Sequence, residues 1–231
     1  MCHAGKAMMA EEVTAVEAEV EDSSAPAEAV ETTEVQAEEA PAEQKLELSD
    51  KAFSEFGLGE ALCASLKEQG FERPTIVQAE AMEPMLARKD LIVQSKTGSD
   101  KTLAFGVPLL ERYQGSESES KKPRAIILAP TRELAHQVST ELRKIGEPLG
   151  VRVFAVYGGV SIGRQVAVLK SGIDILVATP GRLLDHLRRE NVMLDAIECC
   201  ILDEADEMLS MGFWDDVTSL MDKLDDSSQR L

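Results

Sequence analysis

The fold class is decided by the stretch Cys199-Cys200-Ile201-Leu202-Asp203-Glu204-Ala205-Asp206. Its four leading residues are apolar without alternation, which predicts a strand buried on both faces, as in a parallel sheet. Similar apolar runs precede it at residues 91–94, 125–129, 151–157 and 173–178. Segments with helical periodicity lie between or beyond these runs, near residues 59–69, 77–87, 101–112, 133–146, 161–170, 180–189 and 215–224. The alternation predicts an α/β fold in which helices cover both faces of a parallel sheet.

The acidic residues that end this stretch are candidates for catalysis. Carboxylates at the carboxyl end of a parallel strand lie at the crevice where ligands bind. Asp203 is placed to hold Mg²⁺, usually through water, and Glu204 is placed to orient and deprotonate an attacking water. The alternative interpretation is a solvated acidic turn, which is common after strands.

A second candidate site is the segment 95–102, which reads Ser-Lys-Thr-Gly-Ser-Asp-Lys-Thr. The phosphate-binding pattern GxxxxGK[ST] has glycine at its first and sixth positions, where this chain has Ser95 and Asp100. The ending is intact: Lys101 would meet the β- and γ-phosphates of a nucleotide, and the Thr102 hydroxyl would bind Mg²⁺. A turn between strand and helix also aims N–H groups at phosphates. An ordinary strand–turn–helix with a surface lysine is the alternative.

Asp100 is the departure that matters most for nucleotide binding. The glycine that normally stands there lets the backbone approach phosphate closely. A carboxylate near 4 Å from a phosphate charge repels it by about 4 kcal/mol at an effective dielectric of 20. The cost is smaller if the side chain rotates away or takes up a proton. We therefore expect Asp100 to weaken nucleotide binding.

From Phe53 to its end, the chain resembles the DEAD-box RNA helicase family. The tetrad 203–206 spells the family name, and residues 70–78 (GFERPTIVQ) are similar to its Q motif, with Phe53 seventeen residues before Gly70. Residues 130–134 (PTREL), 158–159 (GG) and 179–182 (TPGR) resemble its RNA-contacting motifs. The resemblance implies a RecA-like P-loop NTPase domain that uses ATP and Mg²⁺, with Glu204, Lys101 and Asp203 as catalytic residues. The implied phosphate-binding residues are Ser95, Lys96, Thr97, Gly98, Ser99, Asp100, Lys101 and Thr102.

The Q-like segment is implied to bind the base of the nucleotide. The Gln78 amide carries a donor and an acceptor side by side, which suits N6 and N7 of adenine. The resemblance makes Gln78 the adenine-binding residue, with Phe71 and Arg73 beside it. The alternatives are a glutamine on a helix surface and, for Phe53 and Phe71, residues of the core.

The RNA site is implied to lie at the same edge of the sheet as the carboxylates. Two groups of candidate residues follow the runs 125–129 and 173–178 and so emerge at this edge, namely Pro130, Thr131 and Arg132, and Thr179, Pro180, Gly181 and Arg182. The resemblance adds Gly158 and Gly159 to the implied RNA-binding set. Hydroxyl, guanidinium and helix-start N–H groups bind phosphates, so we expect contacts to the RNA backbone with little sequence preference. Thr131 and Thr179 have an alternative role as helix caps.

Acidic residues are concentrated at the N-terminus. The net charge is −18, and residues 1–50 hold fourteen acids and two bases. The composition predicts a disordered arm over 1–48, with a basic protein as a possible partner, and a folded domain over 49–231. No apolar run is long enough for a membrane span, and the N-terminus lacks a signal peptide. With cysteines expected to be buried and reduced, we predict a cytoplasmic protein.

For five residues outside these motifs, the sequence predicts exposure or burial. His136 and His186 fall on predicted helices and are expected to face solvent. Met208, Met211 and Trp214 follow the acidic tetrad and are expected to pack in the core.

The last motifs of the family are missing from the sequence, which ends at Leu231. The resemblance implies a Ser-Ala-Thr strand between the runs 91–94 and 199–202, and a second RecA-like domain. We therefore expect a domain that is incomplete at its C-terminus and unstable by itself. The predicted function is an ATP-dependent RNA helicase motor domain that remodels RNA duplexes within a two-domain enzyme. The alternative is a catalytically defective fragment that acts as a weak RNA- or protein-binding module.

Overall fold

Five parallel strands form the sheet of the computed structural model, which describes residues 47–95, 101–115 and 121–231. They are β1 (Ala125–Leu128), β2 (Val153–Val156), β3 (Ile175–Ala178), β4 (Cys199–Leu202) and β5 (Gln229–Arg230). Their order in the sheet is β2-β3-β1-β4-β5. Every residue of β1 and β3 is buried, as expected for central strands that have helices on both sides.

Eight helices cover the described part of this sheet. They are α1 (Glu60–Glu68), α2 (Ile76–Leu86), α3 (Lys101–Tyr113), α4 (Arg132–Gly146), α5 (Ile162–Ser171), α6 (Pro180–Arg188), α7 (Ala205–Ser210) and α8 (Trp214–Met221), with short 3₁₀ turns at Phe53–Phe56 and Glu147–Leu149. The core divides into two hydrophobic clusters, because alternate strand residues point to opposite faces. Ile127 and Ile201 belong to the first cluster, and Ile126 and Cys200 to the second. The predicted parallel sheet with helices on both faces is confirmed.

The run 91–94 does not form a strand. Leu91 donates one backbone hydrogen bond to the Arg230 carbonyl, at 3.1 Å, and the Ile92 side chain is fully exposed. The prediction of a strand there is wrong, because a strand needs a neighbouring ladder and β5 offers this run only two residues.

The last residues of the chain form the beginning of the strand that was expected to be missing. β5 pairs with β4, and Leu202 and Leu231 extend the ladder through a hydrogen bond of 2.8 Å. Because Arg230 also contacts Leu91, β5 lies between β4 and the run 91–94. The prediction that the strand between the runs 91–94 and 199–202 is missing is therefore wrong for the residues of β5, which give β4 a partner on this side.

The residues at the N-terminal boundary of the domain are partly ordered against it. The predicted arm lies outside the described residues except for Glu47 and Leu48. Leu48 forms an antiparallel bridge with Thr75, and the Glu47 carbonyl accepts a hydrogen bond from the Ile76 N–H group. These contacts place the first described residues of the domain two positions before the predicted boundary at 49.

Several predicted exposures need correction. His186 is completely buried, because it lies one turn after Leu183 on the inner face of α6, whereas His136 is exposed as predicted. Met208 is buried as expected, but Met211 and Trp214 are half exposed, because the chain turns between the short helices α7 and α8. The cysteines Cys199 and Cys200 are buried and unpaired, as expected, and Cys63 is partly buried.

Candidate functional site

The acidic pair sits where β4 ends. Asp203 continues the ladder by donating its N–H to the Leu128 carbonyl at 2.9 Å, and its side chain is only 8% exposed. Glu204 then adopts a left-handed backbone conformation, with φ of 53°, immediately before α7. A residue other than glycine in this region costs about 1–3 kcal/mol, and such residues are concentrated at functional sites. The sharp turn directs two consecutive carboxylates to the carboxyl edge of the sheet.

Lys101 meets this edge from the first turn of α3. Its Nζ atom lies 3.0 Å from Oε1 of Glu204, and both side chains are about one-fifth to one-quarter exposed. The neighbouring Thr102 is also partly buried. The structure thus brings together the intact end of the phosphate-loop pattern and the acidic tetrad, which are about a hundred residues apart in the sequence.

Burial perturbs the acidity of Asp203. Loss of hydration raises the pKa of its carboxyl from 3.8 to about 6, and the neighbouring Glu204 charge acts in the same direction. The Lys101 cation and a backbone hydrogen bond from Glu204 oppose the rise in pKa. A cation bound at this carboxylate would therefore offset a charge that the fold alone stabilises poorly.

A cavity of about 560 Å³ opens at these groups. Ser95, Lys101, Asp203 and Glu204 all line it, together with apolar residues of β4 and of the run 91–94. The other predicted phosphate-binding residues, Lys96, Thr97, Gly98, Ser99 and Asp100, lie outside the described residues. Among the described residues, no group of three or more His, Cys, Asp or Glu side chains is arranged to hold a metal ion. Ser95, Asp203, Glu204 and Asp206 line the cavity and carry side-chain oxygens, a type of donor that suits Mg²⁺. Thr102 follows Lys101 in the first turn of α3 but is not among the residues that line the cavity.

The Q-like segment forms a separate cavity of about 310 Å³, lined by Phe71, Arg73, Thr75 and Gln78 among others. Gln78 is 2% exposed, so it is not a glutamine on a helix surface. Its Oε1 accepts the Thr75 N–H at 2.9 Å, while Thr75 Oγ1 accepts the Gln78 N–H at 3.3 Å. This reciprocal capping box begins α2. Phe53 is buried, and Phe71 packs against the core, in agreement with their packing role.

The predicted RNA-contacting residues converge at the carboxyl edge of the sheet. The Arg132 guanidinium approaches Gly159 so closely that a Cβ added there would lie 3.1 Å from Nη1. Arg182 Nη1 donates to the Val160 carbonyl at 3.1 Å, which ties α6 to the loop that follows Gly158 and Gly159. Three segments that are distant in the sequence therefore meet in one place.

The remaining residues of these motifs have structural roles. Thr131 caps α4, since its Oγ1 accepts the Leu134 N–H at 3.2 Å, in agreement with the alternative role. Thr179 occupies the N-cap position of α6, but its side chain makes no capping hydrogen bond there, so the alternative role is not supported for this residue; Gly181 follows in the first turn. Pro130 and Pro180 are buried and fix the backbone at the ends of β1 and β3.

The sequence did not identify two residues that complete this region. Gln165 and His186 are both buried, and the Gln165 amide contacts Arg182 and His186. Each lies on the inner face of its helix, in register with Leu169 and Leu183 respectively. That register was the available signal, although it does not reveal the partners. Within the described residues, no helix is long and apolar enough to cross a membrane.

Comparisons with known proteins agree with this arrangement. The family model for DEAD/DEAH box helicases matches residues 75–231. A DEAD-box ATP-dependent RNA helicase CshA from Bacillus licheniformis is 47% identical over 179 residues, which are 78% of this chain and 36% of that protein. The CshA helicase of Bacillus subtilis is 45% identical with the same coverage. The chain thus spans about a third of the length of these relatives.

A solved structure shares the fold. The crystal structure of a hypothetical ATP-dependent RNA helicase from Sulfolobus tokodaii superposes with a TM-score of 0.67 and 35% sequence identity. The match covers 75% of this chain and 49% of the other.

Proposed function

The chain belongs to the DEAD/DEAH box helicase family, and we propose that it forms the first RecA-like domain of an ATP-dependent RNA helicase. In this proposal the domain binds ATP, Mg²⁺ and the RNA backbone, and it acts with a second RecA-like domain to remodel short duplexes. The observation that carries the proposal is the ion pair between Lys101 and Glu204, beside buried Asp203 at the carboxyl edge of the sheet. A cytoplasmic location stays a prediction.

Each group at this edge has a distinct proposed task. When ATP binds, the Lys101 ammonium leaves Glu204 and pairs with the β- and γ-phosphates. This change of partner is possible because the carboxylate and the phosphates are both anions and the ammonium already lies in the cavity. Thr102 and Asp203 would hold Mg²⁺, which supplies charge neutralisation at the phosphates when bound. Glu204, once separated from Lys101, accepts a proton from the attacking water. The ion pair thus keeps the base occupied until a phosphate competes for the lysine.

The base of the nucleotide is assigned to the Q-like cavity. Gln78 is held in place by its bonds with Thr75, and Phe71 and Arg73 line the same space. Rigid placement favours recognition, because less side-chain entropy is lost on binding.

RNA is assigned to the converging motifs at the ends of β1, β2 and β3. Arg132 and Arg182 supply guanidinium groups that bind RNA phosphates. Gly158 and Gly159 have no side chains, which allows the RNA strand to approach the protein backbone closely. Contacts of this kind recognise the backbone rather than the bases, so sequence preference should be small.

The alternative function is a non-catalytic RNA- or protein-binding module. Asp100 in the phosphate loop favours it, because a carboxylate stands where close phosphate approach needs glycine. The two functions differ in whether ATP binds and is turned over.

The test uses Glu204→Gln in an Asp100→Gly background. ATP binding is measured calorimetrically on the 231-residue chain, and RNA-stimulated turnover on a chimaera with the second RecA-like domain of a CshA relative. We expect Glu204→Gln to keep ATP binding and abolish turnover, since the amide cannot accept the proton. Glu207→Gln, an exposed change on α7, is the matched control and should retain turnover. Turnover by Glu204→Gln would remove that residue from its role, and failure of the Asp100→Gly chain to bind ATP would favour the alternative.

A further inference from the structure

A buried glutamine connects two of the segments assigned to RNA. Gln165 is 3% exposed on α5. Its Nε2 donates to the Tyr157 carbonyl at 3.1 Å, directly before the Gly158-Gly159 turn. Its Oε1 accepts from Arg182 Nη1 at 2.9 Å and lies 2.9 Å from Nε2 of His186. One amide therefore links the loop after β2 to two residues of α6.

The hydrogen-bond partners determine the tautomer of His186. Because Gln165 Oε1 is an acceptor, Nε2 of the imidazole must carry the hydrogen, and Nδ1 then accepts from the Asn191 amide at 3.3 Å. Burial lowers the pKa of His186, which favours this neutral form. The adjacent Arg182 cation lowers the pKa of His186 further, so the network is satisfied without an ionised histidine.

The network also orients the guanidinium of Arg182. Nη1 has two hydrogens, and they are directed to the Val160 carbonyl and to Gln165 Oε1. Because both hydrogens of Nη1 are used in this way, the edge of the guanidinium that can bind a ligand is the one formed by Nε and Nη2. The two N–H groups of this edge match two oxygens of a phosphate. Arg182 is partly exposed, whereas Gln165 and His186 are buried behind it.

We propose that Gln165 and His186 are positioning residues for RNA, which act through Arg182 and through the loop at Gly158-Gly159. This inference rests on the proposed function. A buried polar cluster is costly unless every member is paired, and an apolar core is usually cheaper at such a position. Here one member of the cluster, Arg182, is a cation at the surface. The cluster also fixes the distance between α6 and the loop at Gly158-Gly159, the two segments that would hold successive phosphates. The backbone of the strand would thus be read by a preformed arrangement rather than by mobile arginine side chains.

The first test replaces the amide by an apolar side chain of similar length. Gln165→Met should weaken binding of a fluorescent single-stranded uridine 20-mer by about ten-fold, because Arg182 is no longer held in a fixed orientation. The slope of log affinity against log salt concentration should fall in magnitude by about 0.7 for each phosphate that the protein no longer neutralises. A purely structural role would reduce the fraction of active protein but leave this slope unchanged. Gln137→Met, at an exposed glutamine on α4, is the control.

A second pair of variants keeps the test independent of one substitution. His186→Leu removes the donor to Gln165 and should weaken RNA binding in the same way, whereas His186→Gln can place an amide N–H near the same point and should recover most of the affinity. Arg182→Gln combined with Gln165→Met should cost less than the sum of the two single changes, since the residues act in series.

The outcomes separate this inference from the function on which it rests. Absence of RNA binding by the unmodified chain would overturn both. RNA binding by the unmodified chain, with unchanged affinity and salt slope in Gln165→Met and His186→Leu, would overturn only the positioning role. Loss of the thermal transition in both variants would assign the cluster to stability alone and also overturn it.

Discussion

Substitution of Asp203 by asparagine should make the protein more stable at neutral pH. The Asp203 carboxyl is buried at the end of β4, and its pKa is raised from 3.8 to about 6. Burial is the largest cause of this rise, and the negative charge of Glu204 is the second. This difference corresponds to about 3 kcal/mol between the protonated and ionised forms of the folded chain. Asparagine keeps the shape and an acceptor for the Glu204 N–H group but has no proton to lose.

The sign of the effect follows from proton linkage. Between pH 4 and pH 6 the folded chain binds a proton at Asp203 more tightly than the unfolded chain does, so this group favours folding at low pH. That contribution is complete below the unfolded pKa near 3.9 and is lost as pH rises through about 6. The advantage of Asp203→Asn over the unmodified chain should therefore grow by up to about 3 kcal/mol from pH 4 to pH 7.5.

Urea unfolding followed by circular dichroism, with EDTA present, measures this difference at half-unit pH steps. Asp206→Asn is the matched control, because Asp206 belongs to the same tetrad but is exposed, and its difference from the unmodified chain should change little with pH. If the free-energy difference for Asp203→Asn changed by less than about 0.5 kcal/mol across this range, the carboxyl would not be buried in solution and the prediction would be wrong.

Two further changes test the phosphate loop and the core. Asp100→Gly should raise affinity for ATP–Mg²⁺ by more than about a hundredfold, because it removes a repulsion of about 3 kcal/mol or more; equal affinities in calorimetry would show that the carboxylate points away. Gly106→Ala should lower the free energy of unfolding by about 1–3 kcal/mol, because its Cβ would lie 2.2 Å from Leu142 Cδ2. Gly163→Ala is the control, because Gly163 is also in a helix but a Cβ added there would have its nearest neighbour at 3.8 Å. This change should be neutral, or should stabilise the protein by up to about 1 kcal/mol, in urea unfolding. Similar losses of stability for both glycines would contradict the proposed clash with Leu142.

The sequence predicts the first four strands of the sheet, including β2 at its edge. β1, β2, β3 and β4 all lie within the predicted runs, because a continuous apolar run of this length has few other uses in an α/β protein. The run 91–94 has the same composition but is not a strand, since pairing depends on a neighbour and not on the run itself. The approach of Lys101 to Glu204 follows the rule that ligand groups gather at the carboxyl ends of parallel strands.

Residue type is a poor guide where helix register decides the outcome. Histidine is polar, which favours solvent exposure for His186, yet this residue lies one turn from Leu183 on the buried face of α6. The polarity of Gln165 is misleading in the same way, because Leu169 lies one turn further along the buried face of α5. The helical register alone therefore places the side chains of His186 and Gln165 in the protein interior. Their partners come from the loop after β2 and from a different helix, and no pattern within one helix can reveal such contacts.

Several departures from ordinary folding rules lie at the carboxyl edge of this sheet. Glu204 has a left-handed backbone, Asp203 is a buried carboxylate, and Gln165 and His186 form a buried polar cluster behind Arg182. Each departure costs stability on its own, and none is needed to close the sheet or to fill the core. The other described residues with positive φ apart from glycine, Arg88, Lys121 and Glu190, are all exposed, where strain has an ordinary explanation in turn geometry. The buried carboxylate of Asp174, at the opposite edge of the sheet, is instead paired with Arg152 at 3.0 Å. Since costs of this kind persist where function requires them, the departures at the carboxyl edge support a site there without reference to any sequence motif.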